Sequence, residues 1–265
     1  MSILAKILAD KGPEVQAAMR EHPASEVEAI AKAAPQTRDF AAALRRGNDE
    51  PMRFICEFKR ASPSAGAIAA GAEPEPIVRA YEEAGASAIS VLTDRVYFDG
   101  RLEFLSRVRE TVKIPVLRKD FIVHPYQIAE ARAHGADAVL LIVSALETAQ
   151  LSELYQCARE WGLRALIEVH DENEAERAAA IGAEIIGVNH RNLATFEIDL
   201  GLTARLARSM PADCILVGES GIRGRDDVVQ LRDAGAHAVL IGESLMRAKH
   251  PGTALLEMRD SNDTN

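Results

Sequence analysis

The sequence is short of the features that mark disulfide-rich, secreted or membrane-spanning proteins. Only three cysteines occur among its 265 residues, and their wide separation gives neither a disulfide framework nor the paired spacing of a metal site. No apolar run approaches the roughly 20 residues that a membrane-spanning helix needs. Residues 1–10 carry charges where a signal peptide would be apolar. We therefore expect buried thiols, no membrane association and a cytoplasmic protein.

Positive charge is also in deficit, since 31 Lys and Arg face 40 Asp and Glu and leave a formal net charge of -9. Such a chain repels polyanions, so we expect no binding to nucleic acid, and any anionic ligand must be held by a local site. The seven histidines show no H-E-x-x-H or comparable spacing, so we expect no metal. Aromatic residues make up only 5% of the chain, which predicts an aliphatic core.

The chain divides into a helical start and a repeating remainder. Residues 1–50 have the helical spacing of apolar side chains, whereas short apolar runs and helix-patterned stretches alternate after Pro51. Eight runs occur, at residues 54–59, 88–93, 116–119, 138–143, 165–168, 185–189, 215–219 and 238–241.

Each run is nearly continuously apolar, as in parallel strands that are buried on both faces. Four of them directly follow a Gly-Ala pair, and this repetition indicates that a glycine ends the preceding helix. No G-x-G-x-x-G follows the first run, which argues against an open dinucleotide-binding sheet. We predict an α/β protein with one domain over residues 1–265, a (β/α)8 TIM barrel with an N-terminal helical extension over residues 1–50.

Charged and amide side chains end or follow several of these runs, where a barrel carries its working residues. They are Glu57, Lys59, Lys119, Glu168, Asn189 and Arg191. A salt bridge explains any one of them, but burying the whole set costs several kcal/mol for each unpaired ion, so a polar ligand is the better explanation. Two lysines in one enclosed mouth are expected to lower each other's pKa, within a limit set by neighbouring carboxylates.

The alternation of side chains along a strand places other residues on the outer face. Arg118 and Asp120 should point away from Lys119 and pair with helices outside the barrel. Cys56 has the same outward parity on the first strand, which favours a core thiol over a nucleophile. His170 follows the fifth strand, where it could line the mouth of the barrel, but a position in solvent is the expectation.

Three stretches that contain serine or glycine follow predicted strands and are candidates for a phosphate site. Turn and capping roles explain each stretch alone, but three converging stretches favour phosphate, which barrels often bind after strands seven and eight. The candidate ligands are Ser62 after the first strand, Ser220 and Gly221 after the seventh, and Gly242 and Glu243 after the eighth.

Together these residues resemble the indole-3-glycerol-phosphate synthase family of tryptophan biosynthesis, and the match runs along nearly the whole chain. The helical residues 1–50 resemble the extension that covers the family's active-site face. The matching motifs are E-F-K-R-A-S-P-S at residues 57–64, I-S-V-L-T at 89–93 with Y-F at 97–98, K-D-F-I at 119–122, I-E-V-H at 167–170, N-H-R-N-L at 189–193 and E-S-G-I at 219–222.

The departures from the family pattern are His190, Ala65 and Glu243, and none of them falls on a matched catalytic position. Glu243 beside a phosphate implies that its backbone, and not its carboxylate, does the binding.

The resemblance implies a carboxy-lyase that needs no organic cofactor. Its small phosphorylated substrate would be 1-(2-carboxyphenylamino)-1-deoxyribulose 5-phosphate, which the family converts into indole-3-glycerol phosphate, carbon dioxide and water. In this chemistry an aromatic carbon attacks a ketone, so an acid is needed at the carbonyl oxygen, and the later dehydration requires a base and an acid.

The resemblance also implies a role for each matched residue. Lys119 would be the acid for ring closure, while Glu168 and Lys59 would share the acid and base roles of dehydration. Glu57 would orient the lysines, and Asn189 would bond the substrate hydroxyls or Glu168. The guanidinium of Arg191 would bind the anthranilate carboxylate through two bonds. Phe98, Phe121 and Leu193 would either flank the aromatic ring or pack in the core.

Two alternatives stay open. A phosphoribosylanthranilate isomerase would use a cysteine and an aspartate as its acid-base pair, whereas the first strand here offers Glu57 and Lys59. A catalytically silent barrel within a tryptophan-synthesis assembly would have lost a matched charged residue, and none is lost. We expect a monomer, with association with other enzymes of that pathway left open.

Overall fold

The fold is a closed barrel surrounded by helices. A computed structural model describes residues 2–47, 50–192 and 197–259. Within these ranges, eight parallel strands pair in the order of the chain, and the last strand pairs with the first. The strands are β1 (Arg53–Phe58), β2 (Ala88–Leu92), β3 (Val116–Lys119), β4 (Ala138–Ile142), β5 (Arg164–Val169), β6 (Ile185–Asn189), β7 (Ile215–Glu219) and β8 (Ala238–Ile241).

Helices precede the barrel and connect its strands. The described helices are α1 (Ile3–Glu21), α2 (Ala24–Ala33), α3 (Phe40–Leu44), α4 (Pro74–Glu83), α5 (Arg95–Phe98), α6 (Glu103–Thr111), α7 (Pro125–Ala133), α8 (Thr148–Glu160), α9 (Glu172–Ala180), α10 (Gly201–Ala207), α11 (Arg225–Asp233), α12 (Glu243–Arg247) and α13 (Pro251–Met258). A 3-10 turn, Val143–Ala145, follows β4. No helix of the described ranges is long and apolar enough to cross a membrane.

Side chains that alternate along each strand fill two separate cores. On β1, Ile55 belongs to the aliphatic cluster inside the barrel, while Cys56 and Phe58 pack against the surrounding helices. Phe40 and Leu44 of α3 join the interior cluster and close the end where the strands begin. The charged residues at the other end of the strands therefore lie above an apolar floor.

The (β/α)8 barrel is the predicted fold, and each predicted strand agrees with an observed one to within one residue at either end. Cys56 is buried on the outer face of β1, as its parity predicts. Arg118 leaves the barrel on the opposite face from Lys119 and pairs with Glu130 of α7 at 2.8 Å. Asp120 pairs with Lys11 of α1 at 3.0 Å and with Arg118 at 3.3 Å.

Candidate active site

A cavity of about 600 Å³ opens at the C-terminal ends of the strands. α1 lies against this opening and contributes Ile3, Leu4 and Ile7 to its lining. The cavity brings together every predicted site residue, namely Glu57, Lys59, Ser62, Lys119, Glu168, Asn189, Arg191, Ser220, Gly221, Gly242 and Glu243. These residues therefore line one cavity, while their roles stay predictions.

Lys119 is the centre of the charged network. Its Nζ lies 2.9 Å from Oε2 of Glu168 and 3.2 Å from Oε2 of Glu219. Burial alone would lower the pKa of Lys119, but the carboxylates of Glu168, Glu219 and Glu57 outweigh burial and raise it above its ordinary value. The expectation that a second lysine lowers this pKa is therefore wrong, because carboxylates dominate the field at the Lys119 ammonium. Lys119 is thus a charged donor at neutral pH.

The Glu168 carboxylate faces three polar groups that come from different parts of the barrel. Its Oε2 faces Lys119, and its Oε1 accepts a hydrogen bond from Nδ2 of Asn189 at 3.1 Å. Nε2 of His170 lies 3.3 Å from the same Oε1. Burial raises the pKa of Glu168, but Lys119 and His170 outweigh it and hold the pKa well below its ordinary value. The carboxylate is therefore ionised and fixed in orientation.

Glu57 and Lys59 form the second acid-base pair of the cavity. Lys59 Nζ lies 2.8 Å from Oε1 of Glu57, and the hydroxyl of Ser90 donates to Oε2 at 3.1 Å. Ser90 reaches this oxygen because it stands opposite Glu57 in the register of β1 and β2. Burial raises the pKa of Glu57, but the opposite effect of Lys59 and Lys119 is larger. The pKa of Glu57 therefore lies below its ordinary value.

Glu219 is a member of this network that sequence reasoning did not single out. Its position as the last residue of β7 is the signal that could have found it. The side chain is 2% exposed, and Oε1 has no hydrogen-bond partner among the described residues. Burial, assisted by Glu168 and Glu57, raises the pKa of Glu219 in spite of the attraction of Lys119.

Room for the Glu219 carboxylate comes from a glycine on the neighbouring strand. A Cβ at Gly187 would lie 2.0 Å from Oε1 of Glu219, so no larger residue fits there unless the carboxylate moves. Gly242 has the same relation to Glu57, whose Oε1 would lie 2.6 Å from an added Cβ. The carboxylates of Glu219 and Glu57 thus occupy space that is free because Gly187 and Gly242 have no side chain.

The three predicted phosphate stretches converge on one side of the cavity. Ser220 has a φ of 66°, an uncommon value for a residue with a side chain, and Gly221 follows with a φ of 79°. These two left-handed residues turn the backbone sharply after β7. Ser62 accepts a hydrogen bond from the backbone N–H of Ala65 at 3.2 Å, which folds the loop after β1. Ser244 ties α12 to this region by donating to the carbonyl of Ile222 at 2.6 Å.

The side chain of Glu243 turns to Arg247, whose Nε lies 3.0 Å from its Oε1. The acid is therefore neutralised by a neighbour one helical turn away. This contact supports the expectation that the backbone of Glu243, and not its carboxylate, faces a phosphate.

Arg191 lines the cavity after β6, and its guanidinium has no ion-pair or hydrogen-bond partner among the described residues. Its backbone N–H donates to Oδ1 of Asn189 at 3.2 Å, which ties the Asn189 side chain to the backbone after β6. The rings of Phe98 and Phe121 also line the cavity, with centroids 6.0 Å apart. Leu193, the third predicted apolar neighbour of the substrate, lies outside the described residues.

His190 is a structural residue that lies behind the turn formed by Ser220 and Gly221. It is 2% exposed, with Nδ1 at 3.2 Å from the carbonyl of Ser220 and Nε2 at 2.7 Å from the hydroxyl of Thr203. Burial lowers the pKa of His190, so the ring is neutral. The neutral ring donates a hydrogen bond to the carbonyl of Ser220 and accepts one from the hydroxyl of Thr203. These two bonds hold the turn after β7 in place.

In residues 2–47, 50–192 and 197–259, no group of three or more His, Cys, Asp or Glu side chains is arranged to hold a metal ion. The barrel and its ring of paired lysines and glutamates define a (β/α)8-barrel enzyme that is equipped for proton transfer. The family model for indole-3-glycerol phosphate synthase matches residues 4–258, and the chain belongs to this family.

Curated relatives carry the same family name. Indole-3-glycerol phosphate synthase of Mycobacterium avium is 51% identical over 235 residues, which cover 88% of this chain and 85% of the relative. That of Chlorobium luteolum is 49% identical over 249 residues, 94% of this chain and 95% of the relative. Among solved structures, thiamine phosphate pyrophosphorylase from Pyrococcus furiosus is 18% identical, with a TM-score of 0.60 over 78% of this chain and 93% of that chain. This last likeness concerns the fold alone.

Proposed function

We propose that this chain performs the reaction of its family, the decarboxylating ring closure and dehydration of 1-(2-carboxyphenylamino)-1-deoxyribulose 5-phosphate to indole-3-glycerol phosphate. The observation that carries the proposal is the position of Lys119, a charged donor between Glu168 and Glu219 in a cavity that also contains a second lysine. The cavity volume of about 600 Å³ suits a small metabolite.

Lys119 is the proposed acid for ring closure. As the aromatic carbon attacks the ketone, the carbonyl oxygen becomes an alkoxide, which is a stronger base than an amine. The ammonium of Lys119 stabilises this developing charge and then transfers its proton. Its raised pKa keeps it protonated at neutral pH until the stronger base forms.

Glu168 and Lys59 are the proposed base and acid of dehydration. Glu168 is ionised and fixed by Asn189, as a base requires. Lys59 is 17% exposed and paired with Glu57, which places its ammonium at the cavity wall. Glu57 orients both lysines, and Asn189 orients Glu168. Glu57 and Asn189 therefore position the three residues that transfer protons.

Arg191 and the convergent loops are the proposed anion sites at opposite ends of the substrate. The guanidinium of Arg191, which has no partner within the described ranges, is available to a carboxylate that it can bind through two parallel bonds. Ser62, Ser220, Gly221, Gly242 and Glu243 are the proposed phosphate ligands.

We also propose that the chain acts as a cytoplasmic monomer. The three cysteines are free, as in reducing compartments. The large exposed apolar residues of the described ranges, Ile30, Val96 and Leu256, lie on three different helices.

The deciding experiment offers purified protein the carboxyphenylamino-deoxyribulose phosphate and follows indole absorbance and fluorescence. We expect product to form without added metal or cofactor. A folded protein, verified by circular dichroism, that forms no indole would refute the proposed function.

A further inference from the structure

His170 lies behind Glu168, outside the lining of the cavity, and the expectation that it lies in solvent is wrong. Its side chain is only 11% exposed, and it lies between two carboxylates. One belongs to Glu168 at the end of β5, the proposed base, and the other to Glu174 on the first turn of α9.

The start of α9 fixes the side of the imidazole that is remote from the cavity. Asp171 caps this helix by accepting a hydrogen bond from the backbone N–H of Glu174 at 2.8 Å. The Glu174 side chain reaches back, and its Oε2 accepts from the backbone N–H of His170 at 2.8 Å and lies 3.1 Å from Nδ1 of the ring. Reciprocal bonds of this kind are typical of helix N-termini. The ring is therefore held before any substrate arrives.

The other side of the imidazole faces the proposed base. Nε2 lies 3.3 Å from Oε1 of Glu168, within ion-pair distance although out of line for a hydrogen bond. Ionised carboxylates only accept hydrogen bonds, so a ring nitrogen that faces one must carry a proton to be stabilised. Because both nitrogens of His170 face carboxylates, the geometry favours the doubly protonated imidazolium.

We propose that His170 is a positioning residue, an imidazolium clamped by Glu174 that holds Oε1 of Glu168 and keeps this carboxylate ionised and oriented as the base. The inference rests on the function proposed above. Glu168 and Glu174 are the charged groups that face the ring, while Lys119 of β3 and, through it, Glu219 of β7 act on the far oxygen of Glu168. In support, the two carboxylates outweigh burial and raise the pKa of His170 to about 10.

Two substitutions separate the two sides of the ring. In His170→Asn the amide reaches about as far as Nδ1, so the contact with Glu174 survives and the contact with Glu168 is lost. In His170→Gln the amide reaches about as far as Nε2 and offers Glu168 a neutral donor. Glu174→Gln removes the clamping charge, and Glu172→Gln on the same helix is the matched control, since Glu172 is 54% exposed and pairs with Arg205.

The main readout is kcat and KM for indole formation between pH 4 and 9. Without the imidazolium the pKa of Glu168 rises, so we expect the acidic limb of the kcat profile of His170→Asn to move to higher pH. One unit of displacement lowers kcat about tenfold on that limb, while KM changes little because His170 is absent from the cavity lining. His170→Gln should recover much of kcat at pH 8 and keep the displaced limb. Glu174→Gln should shift the limb less, and Glu172→Gln should not shift it.

Profiles of His170→Asn and His170→Gln that superimpose on the wild type would overturn the inference, as would equal shifts in the two glutamate variants. If His170→Asn does not fold, His170→Gln and Glu174→Gln decide. Nitrogen NMR of the imidazoles in the wild type, assigned with His170→Gln, gives an answer without turnover. A doubly protonated ring at pH 8 is expected, and a neutral ring there refutes the proposal. Failure of the wild type to form indole would refute the proposed function separately.

Discussion

Replacing Glu219 by glutamine should stabilise the protein at neutral and alkaline pH. The carboxylate is 2% exposed, and its Oε1 has no partner among the described residues. It also lies in the field of Glu168 and Glu57, so that Lys119 alone does not compensate its charge. Glutamine has nearly the same shape, keeps an oxygen for Lys119 and removes the buried negative charge.

The sign follows from proton binding. The pKa of Glu219 is raised from the ordinary 4.5 to about 7 in the folded state. Between these values the native protein holds a proton that the unfolded chain has released, so the free energy of unfolding falls as the pH rises through this window. The difference corresponds to a cost of about 3 kcal/mol once Glu219 is fully ionised, which is an upper bound on the gain. We expect about 1 to 3 kcal/mol for Glu219→Gln at pH 8 and little difference at pH 4.5.

The assay is urea unfolding of the wild type and Glu219→Gln at pH 4.5, 6, 7 and 8, with Glu172→Gln as a control for removal of an exposed carboxylate. Taking the difference between variants cancels the pH dependence of the groups that do not interact with Glu219. In particular it cancels that of His170, whose raised pKa contributes stability that is present below pH 6.5 and is lost as the pH rises toward 10. The reasoning fails if Glu219→Gln is less stable than the wild type at pH 8, or if the difference does not grow between pH 4.5 and 7.

Three further substitutions test other parts of the site. Lys119→Met should lower kcat at least about 100-fold and leave KM within about tenfold, whereas Lys113→Met, which removes an exposed lysine, should match the wild type in the indole assay; an active Lys119→Met would contradict the acid role. Arg191→Ala should weaken binding of the carboxylated substrate more than inhibition by inorganic phosphate, and equal losses would argue against a carboxylate site. Gly187→Ala should destabilise the barrel by about 1 to 3 kcal/mol in urea unfolding, and the loss should shrink when Glu219→Ala removes the clash, since the added Cβ would lie 2.0 Å from that carboxylate.

Local pattern in the sequence is sufficient to predict the barrel and most of the site. Continuous apolar runs predict buried parallel strands, and the two-residue spacing of Glu57 and Lys59 predicts a shared face, which their 2.8 Å contact bears out. These predictions need only the period of a strand and the rule that a barrel works at the C-terminal ends of its strands.

The features that the sequence did not predict depend on residues that are distant in the chain and adjacent in the fold. A local sequence pattern contains no information about such neighbours. Glu219 fits its buried position because β6 presents Gly187 beside Oε1, an atom with no hydrogen-bond partner in the part of the chain that the structure describes. The direction of the Lys119 pKa requires knowing that three carboxylates converge on its ammonium, from β1, β5 and β7. Lys11 has the sequence context of an exposed helical lysine, yet it is 1% exposed.

The burial of Lys11 links the helix that lines the cavity to the strand that carries the proposed acid. Its Nζ lies 2.9 Å from Asp94 and 3.0 Å from Asp120, which directly follows Lys119. Ile7 lines the cavity one turn before Lys11 on the same face of α1. A shift of α1 away from the cavity would leave this buried ammonium without its carboxylate partners, or would move Asp120 together with the helix. The helix that lines the cavity and the residue that follows Lys119 are therefore joined through one buried ion cluster.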